Sequence, residues 1–269
     1  MEVNETDLLA LHHTLNILKP YLGEIVLVGG WVPYIYRKYG NMPFRHPSIR
    51  TTDIDIAVPR EVPERGQATV DGLLTSAGFS VEIVGSYGGA VKYELATPPT
   101  EIDFITPEIG RAGQPSILVQ AGLRAEALRY IEILMDNTRQ VTINDSVGGQ
   151  RVNFVVKVPT PAAFIFQKAL TLTQRRSKAA KDLYYIFDLL DSSPEMQRQI
   201  PADIKAIKAN YTARWFGTAI RHLESYFAEE GGRGPALVAG QYTGSMQTET
   251  FRLYARRVFR DLIGRLHES

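Results

Sequence analysis

Apolar residues recur at broadly helical spacing in residues 6–19, at Leu8, Leu9, Leu11, Leu15, Ile17 and Leu18, and Pro20 closes the segment. The next run, EIVLVGG, is a short apolar strand that enters a tight turn. WVPYIYRKYG then reads as a helix, with Pro33 tolerated in the first turn and Gly40 suited to the C-terminal cap. NMPFRHPSIR carries two prolines and is a loop. TTDIDIAVP alternates as a strand and is stopped by Pro59.

Further along, GQATVDGLLTSAGF predicts a short helix ending at Gly78, and SVEIVGSYGGAVKYELA a hairpin with its turn near YGG. In TEIDFITP, Ile102 and Phe104 face away from Glu101, Asp103 and Ile105. GLRAEALRYIEILMDNT is expected to be helical, and RQVTI and RVNFVVKVP return to strands around an NDSVGGQ turn.

From Pro161 the pattern changes, and every apolar-periodic segment has helical spacing. A Gly-rich stretch, GGRGPALVAGQYTGS, separates the last two and is expected to be a mobile linker. The fold class expected is therefore α/β (α+β). A mixed sheet flanked by helices over residues 1–158 would precede a helical domain over 159–269.

Composition narrows the chemistry. The 269 residues include no cysteine, which removes disulfides, zinc-thiolate sites, iron–sulfur clusters and cysteine nucleophiles. The N-terminus lacks a basic region followed by an apolar run, and no stretch reaches the roughly 18 apolar residues of a membrane helix. A soluble, cytoplasmic protein without a membrane partner is expected. Net charge is +1, but from Pro159 onward 16 Lys and Arg stand against 11 Asp and Glu, so the earlier part is acidic. That polarity suits a cation on one part and a polyanion on the other; a chance imbalance on solvated helices would look the same.

The sharpest feature is the pair Asp53 and Asp55. Two apart on a strand, they share a face with Cα atoms about 6.5 to 7 Å apart. Ionised side by side they repel, and burying them is costly. A divalent cation removes the conflict, and magnesium takes one or two carboxylates plus substrate phosphates. Asp103, with Glu101 as the second choice on its face, would add a third acid on another strand. Upstream, Gly29 and Gly30 end a strand and open a helix, where backbone N–H groups can approach a phosphate. Taken alone, DID is an ordinary solvent-facing strand and GG an ordinary turn. Their order is more specific than either.

LVGGWVPYIY, RTTDIDIAV and EIDFITP together resemble the nucleotidyltransferase superfamily with the polymerase-β-like core. The resemblance implies that Gly29 and Gly30 contact a nucleoside triphosphate. It also implies that Asp53, Asp55 and Asp103 bind Mg2+ (or Mn2+), Asp103 acting as ligand or base. PAAFIFQKALTLTQRRSKAAKDLYYIFDLL is similar to the later motifs of the abortive-infection, type IV toxin nucleotidyltransferases and their bacterial relatives. Lys168 matches their first lysine, and Arg175, Lys178, Lys181 and Asp182 match the following cluster approximately, which implies catalytic roles for Lys168 and Asp182 and nucleotide contacts for Lys178 and Lys181. Where the family has a later Asp, this chain has Tyr185, with Asp188 one turn on.

Lys178, Lys181 and Asp182 fall at three- and four-residue spacing, so the lysines would line one helical face able to close over a triphosphate. A solvated stripe with ion pairs has the same spacing. Arg50 is a further phosphate ligand or a plain surface arginine. The expected reaction is transfer of a nucleoside monophosphate from an NTP to a hydroxyl acceptor. That acceptor would be an RNA 3′ end such as tRNA, or a protein side chain, and an antitoxin is a further partner that the resemblance suggests. Two other classes remain. A metal nuclease would want Glu-x-Lys where the chain has EID, and a nucleotide- or RNA-binding regulator would not turn over.

Overall fold

A computed structural model describes residues 3–65, 68–84, 89–110, 115–229 and 231–268. The chain forms two compact units. One is made of Val3–Gly40 with Arg50–Pro159, and the other of Asn41–Ile49 with the chain from Thr160 on.

The first unit carries the strands and four α-helices of the described residues, with a 3-10 turn at Lys19–Tyr21. In chain order they are α1 Glu5–Ile17, β1 Val26–Leu27, α2 Trp31–Tyr39, β2 Ile54–Ala57, α3 Val70–Ser76, β3 Ser80–Val84, β4 Ala90–Ala96, β5 Pro99–Pro107, β6 Ser116–Gln120, β7 Leu123–Leu128, α4 Ile131–Asp136, β8 Thr138–Val147 and β9 Gln150–Pro159. They form a mixed sheet in the order β3-β4-β5-β2-β1-β9-β8, with β7 branching from β5 and carrying β6. β2 and β5 run parallel, as do β1 and β9.

Alternation along the central strands sets the two faces. Ile54, Ile56, Ile102 and Phe104 form a buried face. On the other, Val26, Val28, Ala57 and Ile105 pack against Ile131 and Leu134 of α4. Asp55 and Asp103 precede Ala57 and Ile105 by two residues, so they share that second face.

One expectation is corrected in this unit. GLRAEALRYIEILMDNT is not one helix: Leu123–Leu128 is β7, and only Ile131–Asp136 is helical. Within it Leu123 and Ala125 are buried while Glu126 is exposed, a two-residue period that pairing with β5 and β6 selects over the helical one. SILVQ, which the periodicity does not single out, is β6. The expected hairpin of β3 and β4 is present, but its turn at YGG falls outside the described residues.

The second unit holds α5 Pro161–Thr171, a 3-10 turn at Arg176–Lys178, α6 Ala179–Leu190, α7 Pro194–Lys208, α8 Ala213–Phe227, α9 Arg233–Ala239 and α10 Thr248–His267. Thr160 and Ser193 cap α5 and α7 through their hydroxyls. The expected Gly-rich linker contains α9, whose Val238 is fully buried. Asn41–Ile49 belongs here because His46 is buried against Phe187 and Phe251, with Nε2 2.6 Å from Asp191 Oδ2. Asp191 is fully buried and also accepts from the Tyr254 hydroxyl at 2.7 Å and from Gln197. The Tyr184 hydroxyl donates to the Pro47 carbonyl at 2.7 Å.

The C-terminal end of α2 is pinned to β8. Lys38 Nζ lies 2.5 Å and the Tyr39 hydroxyl 2.6 Å from Asp145 Oδ2. Burial works against the charge on Asp145, but hydrogen bonds from Lys38, Tyr39 and the Ser146 N–H outweigh it and hold its pKa at about 2. A carboxylate depressed in the folded state contributes stability that is complete above its ordinary value and lost as pH falls through the folded one. The acid limb of wild-type unfolding should therefore lose about 2 kcal/mol between pH 4 and 2 through this group. In Asp145→Asn, urea unfolding across that range should show a correspondingly shallower slope; an unchanged slope would mean the contact carries no stability.

Candidate active site

β1 lies between β2 and β9, and its chain continues into the glycine turn beside β2. Val28 N–H donates to the Asp55 carbonyl at 2.9 Å, extending the antiparallel pairing of Leu27 with Ile56. At the next residue Gly29 takes φ +68°, a conformation costly for any residue with a Cβ. There is also no room for one, because a Cβ at Gly29 would overlap Asp55 Oδ2. The glycine backbone therefore lies directly against the Asp55 carboxylate. Gly30 is the N-cap of α2 and offers no side-chain cap, and the first turn carries no acid. The helix start is thus open to an anion from outside.

Asp55 and Asp103 are register partners on the parallel strands β2 and β5. Adjacent strands lie about 4.8 Å apart, so two carboxylates emerge side by side from the same face. Both are half-buried. Asp53 lies just before β2, is exposed, and accepts a hydrogen bond from the Thr52 hydroxyl at 2.9 Å.

The row continues onto β4, where Lys92 is the register partner of Asp103. Lys92 Nζ bonds Glu101 and stands 3.8 Å from Asp103 Oδ1. The Glu101 hydrogen bond raises the pKa of Lys92 despite its desolvation, and the charges of Asp103, Glu101 and Asp53 add to that rise. Asp53, Glu101 and Asp103 therefore act on one ammonium. Sequence reasoning misses Lys92. Alternation in AVKYELA puts Lys92 and Glu94 on one face, but only the β4–β5 register reveals which acids they meet.

The arrangement suits a divalent cation as a pair of carboxylates. Among the described residues no three His, Asp or Glu side chains stand ready as a metal-holding group. Asp55 and Asp103, register partners on neighbouring strands, nevertheless present the kind of oxygen donors that a divalent cation takes.

The remaining expected residues are placed as follows. Arg50 makes a two-pronged contact with Asp7, Nε to Oδ2 at 2.9 Å and Nη2 to Oδ1 at 2.8 Å. Its fork thus braces the capping box in which Asn4 and Asp7 exchange hydrogen bonds at the start of α1. In the helical unit, Lys168 is buried with Nζ 2.7 Å from Asp182 Oδ1 and 5.5 Å from the centre of the Phe164 ring. Asp182 is buried too; its Oδ2 has no hydrogen-bond partner and stands 3.8 Å from Arg175 Nη1. Lys178 and Lys181 are exposed, so the three- and four-residue spacing does not place them with Asp182. Lys178 ends the 3-10 turn and is the N-cap of α6, which breaks the helical phase between them.

A nucleotidyltransferase family model matches residues 15–205. The chain belongs to this nucleotidyltransferase family. No curated protein and no solved structure matches the chain. The matched span includes the glycine turn, the three aspartates, Lys92 and the Lys168–Asp182 pair, and it ends before α8. The resemblance of the glycine turn and the aspartate strands to a nucleotidyltransferase core thus agrees with the family.

The steric contact at Gly29 can be measured on stability alone. Gly29→Ala should cost about 1–3 kcal/mol in urea unfolding from the positive φ, and more if Asp55 must move. In the double variant Gly29→Ala/Asp55→Ala the loss should be smaller than the sum of the single losses, with a coupling of at least about 0.5 kcal/mol. Strict additivity would mean the two residues do not press on each other.

Proposed function

We propose that the protein transfers a nucleoside monophosphate from an NTP to a hydroxyl acceptor, with the mixed α/β unit carrying the chemistry. The observation that carries this reading is the pair Asp55 and Asp103, in register on neighbouring strands, with the Asp55 carboxylate against Gly29. In a nucleotidyltransferase this is a phosphate-approach turn next to a cation-holding pair.

Asp55 and Asp103 would hold Mg2+ or Mn2+, with the exposed Asp53, just before β2, as a third carboxylate. Such an ion, when bound, stabilises charge on the phosphates and lowers the pKa of an attacking hydroxyl. The chain's own groups do the rest. The Gly29–Gly30 backbone admits the triphosphate closely, and the N-terminus of α2 favours its charge. Asp103 accepts the proton of the acceptor hydroxyl as that oxygen bonds to the α-phosphorus and pyrophosphate departs. Lys92 orients Glu101 and Asp103 and balances their charge until substrate arrives. Lys178 and Lys181, both exposed, are phosphate ligands on the strength of the resemblance, whereas Lys168 and Asp182 support α5 and α6 as a buried pair.

The acceptor is an RNA 3′ end such as tRNA, or a protein side chain. A toxin role with an antitoxin partner follows the resemblance in the later motifs.

One observation favours a second reading, nucleotide binding without turnover. Lys92 already supplies a positive charge to the acid row, so the carboxylates can be tolerated without a cation. Calorimetry separates the two, because nucleotide affinity indifferent to Mg2+ and to Asp55→Asn would support the binding module.

The enzymatic reading is tested by incubating the protein with α-labelled NTPs, Mg2+ or Mn2+, and total RNA or cell extract. Label should move to an acceptor, and Asp55→Asn or Asp103→Asn should lower the rate at least 100-fold while the protein stays folded. No labelled acceptor with wild-type protein, or equal labelling by the variants, would overturn it.

A further inference from the structure

The last helix, α10, carries five arginines, no lysine and only two acids over Thr248–His267. Both acids are engaged near the ends of the helix: Glu249 pairs with Arg252, and Asp261 with Arg265. Arg256, Arg257 and Arg260 have no carboxylate partner among the described residues. Arg256 is half-buried, and Arg257 and Arg260 are exposed. Together with Leu253 and Asp261 they line an open hollow of about 480 Å³.

This is an unfavourable arrangement for a merely solvated helix. Arg252, Arg256 and Arg260 follow one another at i, i+4, where like charges repel. The same surface could have interspersed glutamates at no packing cost. Instead the buried side of α10 is apolar (Phe251, Ala255, Val258, Phe259, Leu262) and the open side concentrates guanidinium groups. Arginine rather than lysine matters, since its planar fork binds phosphate through two hydrogen bonds and stacks on flat rings. Arg257 already stacks in this way, 5.9 Å from the centre of the Tyr254 ring, which limits its freedom before any ligand arrives. Arg256 Nε is buried without a hydrogen-bond partner, a donor left over by the protein itself.

We infer that the Arg256–Arg260 face of α10 is an RNA-binding surface that grips the phosphates of a single strand. This inference rests on the nucleotidyltransferase reading only in making that RNA the hydroxyl acceptor. The chemistry favours RNA over the other anionic partners. Leu253, 66% exposed beside the arginines, is the one large apolar residue that α10 exposes among the described residues. A single leucine suits contact with a base or a ribose and is too little apolar area to seat a helix in a lipid surface. The surface lies beyond residue 205, where the family match ends, so it would belong to this chain's own choice of acceptor.

The test uses the full-length protein and a fluorescently labelled single-stranded RNA, with anisotropy followed against salt. Wild type should bind with an affinity that falls as salt rises. Arg256→Gln/Arg257→Gln/Arg260→Gln should bind at least tenfold more weakly at fixed salt. Its log–log salt slope should be shallower by about 2, as expected for three lost contacts at roughly 0.7 each. Lys19→Gln/Arg60→Gln/Arg129→Gln, which removes the same charge from the other unit, should retain the wild-type slope. Arg→Lys at the three α10 positions should keep most of the slope, showing that the helix still folds. Equal binding by wild type and the α10 glutamine variant would overturn the inference. So would binding confined to anionic lipid vesicles or an acidic peptide. Failure of the two proposals is distinguishable: arginine-dependent RNA binding without label transfer leaves this surface standing and removes the enzymatic reading. Transfer to RNA that ignores the arginines does the reverse.

Discussion

Everything at the candidate site depends on how closely the Gly29 backbone approaches the Asp55 carboxylate. Two features fix that approach: the positive φ at Gly29, and the Val28 N–H bond that ties β1 to the Asp55 carbonyl. The same aspartate thus uses its carbonyl to set strand register and its side chain to meet the turn. Register in turn brings Asp103 alongside and Lys92 one strand further on. Because side chains alternate strictly, a one-residue slip of β2 would turn Asp55 to the apolar face and leave Ile54 or Ile56 at the site. The buried isoleucines on the opposite face therefore enforce the placement of the acids.

The acid row is also an electrostatic compromise. Asp103, Glu101 and Asp53 raise the charge density on one face, and Lys92 relieves it through a contact with Glu101 and proximity to Asp103. A face built this way can fold with its acids gathered around one lysine. The Lys168–Asp182 pair shows the other outcome. There the lysine and the acid are both buried, and their charges are spent on one another inside the helical unit.

Much of this is legible in the sequence. The glycine turn, the strand that carries Asp55, the EID strand and the all-helical second part follow from local periodicity, and the mixed α/β class with them; Asp53, expected on the strand, falls just before it. What is not legible depends on partners distant in the chain. Residues 122–138 satisfy a helical period as well as an alternating one, and only pairing with β5 and β6 decides for a strand at Leu123–Leu128. Arg50 looks like a phosphate ligand because its true partner, Asp7, lies 43 residues upstream. Lys92 cannot be found without the β4–β5 register. The α9 helix is hidden by the flanking glycines, since its burial, not its composition, makes it helical.

The nine residues Asn41–Ile49 interrupt the stretch between the glycine turn and the DID strand, and His46 within them is held by Asp191. The chain accordingly passes between its two units three times, near residues 40, 49 and 159. Neither unit is a contiguous piece that could be exchanged as a cassette during evolution. A gene fusion or truncation at residue 159 would remove the aromatic pocket that encloses His46 and leave that loop without its core. Recombination can therefore vary α10 and its neighbours by point substitution, but swapping the whole helical unit would require replacing a segment buried inside the other unit's sequence motif as well.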